Sequence, residues 1–127
     1  ARRIRKIFGG GMRQAGYLAA AGIYALNHNI DRLKEDHQKA KQLGSALEKL
    51  PYVKTVLPVD TNIVVFEVIE KIDAGTIIKK FADKNLKVVP FGPQKIRLVT
   101  HLNFTNEMLD ETLKILKSIS WFKLKIQ

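Results

Sequence analysis

The spacing of hydrophobic positions changes several times along the chain, and each change marks an element. Residues 12–28 are apolar nearly all round a helix, with Ala15, Leu18, Ala19, Ile23 and Leu26 leaving no continuous polar face. Such a helix expects burial on most sides. Asn27, His28 and Asn29 then break the pattern, and Asp31 is placed to cap a second helix. Over residues 31–50, Leu33, Ala40, Leu43, Leu47 and Leu50 fall at three- and four-residue spacings, with lysines and glutamates outside the stripe. Pro51 stops it.

The period then shortens. Residues 53–57 predict a short strand ended by Pro58, and residues 61–68 a stronger one, centred on Ile63, Val64, Val65 and Phe66. The unbroken apolar run predicts burial on both faces. Asp73 offers a cap for a helix whose apolar positions are Ala74, Ile77, Ile78, Phe81 and Ala82. Residues 86–89 predict a strand, and Pro90-Phe91-Gly92-Pro93 a turn that stops it. Residues 95–100 predict another strand, with Ile96 and Leu98 on one face and Arg97 and Val99 on the other; His101 joins the second face if the strand continues. Thr105 caps a last helix with Glu107 near its positive end and Leu109, Leu113 and Leu116 on its inner face. From about residue 31 this is an α/β (α+β) arrangement: a small, mostly antiparallel sheet with helices on one side. The first thirty residues read as a part of something larger.

Composition narrows the picture. The chain has 127 residues, 46% hydrophobic and 27% charged, enough for one compact domain. It has no cysteine, which excludes disulfides and cysteine-based sites within it. No apolar run approaches the ~20 residues that span a bilayer. The net charge of +10 suggests a polyanion partner, but only residues 1–6 are densely basic. Elsewhere lysines alternate with acids as on solvated helix faces, so neither nucleic acid nor membrane is the expected partner.

Two places could grip anions. Gly9-Gly10-Gly11 precedes a helix, and Lys6 and Arg13 bracket it. Glycine amides, a helix start and two cations suit a phosphate. The string matches neither the P-loop nor the dinucleotide fingerprint, and a plain hinge remains open. Arg97 lies inside an apolar strand. A guanidinium there needs a partner, which a substrate carboxylate, an internal acid or exposure at a sheet edge would each supply. The histidines and acids show no metal-ligand spacing and no nucleophilic triad.

Residues 1–22, with the core string RK-x-x-GGGMRQAG over residues 5–16, resemble the segment that follows the cofactor lysine in threonine aldolases. Residues 96–103, IRLVTHLN, resemble the family's arginine-containing signature near the chain end. RLKEDHQKAKQL, residues 32–43, resembles a helix in the same relative place, with Asp36 and His37 as further matches. The resemblance implies the C-terminal part of a fold type I pyridoxal-phosphate (PLP) enzyme. Residues 1–30 would be the tail of the large cofactor domain, and 31–127 the small domain.

It further implies cleavage of threonine or allo-threonine to glycine and acetaldehyde through a PLP Schiff base, in a cytoplasmic homotetramer. Lys6 and Arg13 would reach the cofactor phosphate, and Arg97 would hold the amino-acid substrate's carboxylate. The Schiff-base lysine, the stacking histidine and the acid on the pyridine nitrogen are expected upstream in a missing large domain, leaving this stretch inactive alone. The alternatives are a standalone basic interaction domain and another β-eliminating lyase of the same superfamily.

Overall fold

The computed structural model describes residues 1–119 and divides into two compact units, Ala1–Leu33 and Lys34–Gln127. The expected small-domain span, 31–127, runs beyond the described residues.

In the first unit, a short helix α1 (Arg2–Ile7) occupies the basic lead. Gly9 ends it with φ +79°, a conformation that side-chain-bearing residues rarely adopt. Its N–H donates to the Lys6 carbonyl at 3.1 Å, and that of Gly10 to the Arg5 carbonyl at 2.8 Å. These two bonds form a Schellman C-cap, satisfying carbonyls that the helix end leaves open. Helix α2 spans Gly16–His28, starting four residues later than the apolar pattern predicts. The reason is local: Gln14 has φ +50°, so the helix cannot run through it. Among the described residues α2 buries none of its side chains, and Tyr17 is 87% exposed, so its apolar surface is left without cover here.

Helix α3 (Leu33–Leu47), which belongs to the second unit from Lys34 on, buries Ala40, Leu43 and Leu47 on its stripe. The stripe's end at Leu50 is not helical. Lys49 and Leu50 donate to carbonyls three residues back, which tightens the last turn before Pro51. Gly44 lets α3 approach closely: a Cβ there would stand 2.9 Å from a methyl of Val59.

Four strands follow, β1 (Val53–Val56), β2 (Ile63–Val68), β3 (Val89–Pro90) and β4 (Lys95–Val99). They form one antiparallel sheet in the order β1-β2-β4-β3. Helices α4 (Ala74–Ala82) and α5 (Asn106–Ser118) complete the unit. The caps predicted for these two helices form. The Asp73 carboxylate accepts from the Thr76 amide at 2.9 Å, and the Thr105 hydroxyl from the Met108 amide at 3.2 Å.

Strand β3 departs from expectation. Residues 86–88 are not in the sheet, and Pro90, expected to stop the strand, pairs with Ile96. The edge position explains this, because a proline without an N–H is tolerated where no further strand needs its donor. Leu86 and Val88 pack against the core instead.

The pairings Val64↔Leu98 and Phe66↔Ile96 place four buried side chains on one sheet face. Leu43, Leu47, Ile77, Phe81, Leu109 and Leu116 join them in one core. Tyr52 is fully buried as well, and its hydroxyl donates to the Leu116 carbonyl at 3.0 Å. Burial pushes its phenol above the usual tyrosine range.

Candidate functional site

The other sheet face is built differently. Ile63↔Val99, Val65↔Arg97 and Val89↔Arg97 pair on it, so Arg97 sits between a valine of β2 and a valine of β3. Ile63, Val89 and Val99 are more than two-fifths exposed. The alternation of β4 produces this directly: Ile96 and Leu98 turn into the core, and Arg97 is carried outward at the centre of the open face.

The Arg97 Nε is buried and has no hydrogen-bond partner. Among the described residues no acid pairs with the guanidinium. The carboxylate on the same face, Glu67, is taken by Lys54 at 2.9 Å, and Lys54 also reaches Glu70 at 3.1 Å. Hydrogen bonds to Glu67 and then Glu70 hold the Lys54 ammonium above the usual lysine range. Of the partners open to Arg97 from its sequence, an internal acid is therefore absent among the described residues. What faces the cation is the ring of Phe91, whose centroid is 5.7 Å from its Cζ. An orphaned, directional N–H set between Val65 and Val89 is suited to a planar oxyanion that accepts two parallel hydrogen bonds.

The end of β4 is firmly held. The Thr100 hydroxyl, buried, donates to the Asp36 carbonyl of α3 at 2.8 Å. The Asn62 amide donates to the Thr100 carbonyl at 2.7 Å, and the Thr100 N–H to the Asn62 carbonyl at 2.9 Å. Strand β4 stops at Val99, so His101 does not continue the Arg97 face. It lies in an exposed turn, its Nδ1 accepting from the Asn103 amide at 3.2 Å.

Lys6 and Arg13 lie in the first unit, and both are exposed. Lys6 is in the last turn of α1, and the stem of its side chain lies against the glycine turn. A Cβ on Gly11 would stand 3.0 Å from Lys6 Cγ, so only a glycine backbone fits there without displacement. Arg13 lies in the turn that leads into α2. Among the described residues neither cation has an acidic partner. Two unpaired cations around a glycine turn fit a phosphate dianion.

Sequence reasoning missed Phe91, Asn62 and Gln94. Phe91 stood inside a turn string, where no periodicity reports which way a ring points. The other two act through side-chain bonds to backbone groups distant in sequence.

The small antiparallel sheet with its helices has the fold found in fold type I PLP enzymes. The cystine C-S lyase C-DES, in complex with its reaction product cysteine persulfide, matches with a TM-score of 0.62 and 20% identity, over 82% of this chain and 28% of that one. A mutant of C-DES with glycine covalently linked to the PLP cofactor also matches at a TM-score of 0.62 and 20% identity, over 84% of this chain and 29% of that one. A model of the Beta-eliminating lyase family matches residues 1–71, and the chain belongs to that family. The low specificity L-threonine aldolase of Escherichia coli K12 is 41% identical over 109 residues, 86% of this chain and 31% of that protein. The chain thus spans about a third of the length of the curated relatives it matches.

Proposed function

We propose that this stretch is the C-terminal part of a low-specificity L-threonine aldolase, which cleaves threonine-type amino acids to glycine and acetaldehyde. Residues 1–30 are then the tail of the large domain and 31–127 the small domain. The observation that carries this reading is the Arg97 guanidinium, with its buried, unpartnered Nε between Val65 and Val89. The identity to the Escherichia coli aldolase across 86% of the chain supports it.

In this reading PLP is the cofactor, with Lys6 and Arg13 as cations for its phosphate. The chemistry supplied by bound PLP is an electron sink for the pair released when the Cα–Cβ bond breaks. Arg97 does the orienting: it grips the carboxylate by two hydrogen bonds and so fixes which Cα bond faces the cofactor ring. The burial of its Nε strengthens that hydrogen bond. The Schiff-base lysine and the groups around the pyridine ring belong to the part of the relatives that this stretch does not cover. The 127-residue chain alone is then inactive. The complete enzyme is a cytoplasmic homotetramer.

The family match and the likeness to C-DES favour a second reading, β-elimination from a cysteine-like substrate. Product analysis of the complete enzyme separates the two. L-Threonine yielding glycine and acetaldehyde supports the aldolase. Pyruvate and ammonia from L-cystine, without glycine from threonine, would replace it with the lyase.

A further inference from the structure

We infer that Phe91 is a positioning residue for Arg97, setting the plane in which its guanidinium meets a carboxylate. The inference rests on the reading of Arg97 as the carboxylate grip and deepens it.

Phe91 follows β3 directly, and its N–H donates to the Lys95 carbonyl at 2.8 Å. It is thus opposite Lys95, on the same face as Val89 and Arg97, and diagonal to Arg97 across the hairpin. That places the ring at the guanidinium, 5.7 Å from centroid to Cζ. Arginine stems are flexible, and an arginine with no acid to hold it samples many rotamers. A ring over the guanidinium restricts that sampling while leaving its hydrogen-bond donors unused. The face of the cation turned to the ring is shielded from water, and the donors remain for a planar acceptor.

The ring can do this only if the hairpin is rigid, and Gln94 makes it so. Its backbone is left-handed, φ +57°, and its carbonyl accepts from the Val68 amide at 2.8 Å. Its side-chain amide donates to the Ile72 carbonyl at 2.7 Å and the Ile69 carbonyl at 3.3 Å, and its Oε1 accepts from the Ala74 amide at 3.0 Å. One residue ties the turn to β2, to the loop after it and to the start of α4. Phe91 itself is 48% exposed, so replacing it leaves the core intact.

The test uses the complete enzyme labelled at arginine nitrogen, with acetate as the carboxylate probe and chloride as a spherical control. The Arg97 Nε–H resonance is followed by NMR. Acetate is expected to shift it saturably. Phe91→Leu should raise the acetate dissociation constant about three- to fivefold, the size of a partly exposed cation–π contact. It should also abolish the ring-current shift of the free resonance and leave the chloride response unchanged. Phe91→Tyr should restore both acetate affinity and resonance position. Wild-type acetate affinity in Phe91→Leu, with Arg97→Gln losing the global acetate response, would overturn the role of Phe91 alone. An acetate response surviving in Arg97→Gln would remove the carboxylate reading of Arg97, and the role of Phe91 with it.

Discussion

The two faces of the four-stranded sheet are made by alternate residues of the same strands and differ in burial. On the closed face, Val64, Phe66, Ile96 and Leu98 are buried among α3, α4 and α5 side chains. On the open face, Ile63, Val89 and Val99 remain exposed around Arg97, with Glu67 and Lys95 paired at one end. A protein that needed only stability would not put an arginine with an orphaned donor there, since an unsatisfied buried N–H costs about 1–3 kcal/mol. The difference teaches where to look: the buried core lies on one side of β4, and the proposed carboxylate grip on the other, one residue apart.

Substitutions on each face should break or sharpen that division. The largest effect is expected from Phe66→Ala on the closed face. Removing a fully buried ring should cost about 3–5 kcal/mol, read as a lower midpoint in chemical unfolding with little change in slope. A loss below about 1 kcal/mol would mean that the closed face is not the folding core. Gln94→Ala should follow, costing about 1–2 kcal/mol because the Ala74 N–H and two carbonyls lose their partner. The same change should weaken carboxylate binding at Arg97 by loosening the hairpin. The smallest effect on stability belongs to the open face. Arg97→Met should leave unfolding within about 0.5 kcal/mol of wild type, or slightly stabilise it, since an unpaired donor is exchanged for an apolar stem. Clear destabilisation would show that Arg97 serves the fold.

Much of this division was legible in the sequence. The two-residue period of β4 assigned Ile96 and Leu98 to one face and Arg97 to the other. The acids and hydroxyls before α4 and α5 announced their caps. Short-range patterns of this kind need only the local chain. The rest depended on geometry that no period encodes. The start of α2 was misplaced because a single left-handed residue, Gln14, outweighs a run of good helix formers. Strand β3 was misplaced because its pairing is set by the hairpin that Gln94 ties down, and an edge position excuses its proline. Tyr52 gave no sign of burial because its hydroxyl finds its acceptor 64 residues away. For the candidate site, a charge inside an apolar strand drew attention to Arg97. The absence of an acidic partner among the described residues, and the ring of Phe91 in place of one, needed the fold.

The central claim is that Arg97 grips the substrate's carboxylate, and kinetics of the complete enzyme test it most directly. Arg97→Lys keeps the charge and loses the two-pronged geometry. The variant should bind PLP as wild type does, by its absorbance spectrum, while kcat/KM for L-threonine falls roughly 10²-fold, the scale of losing a charge-assisted bidentate contact. Wild-type kcat/KM in that variant would contradict the account.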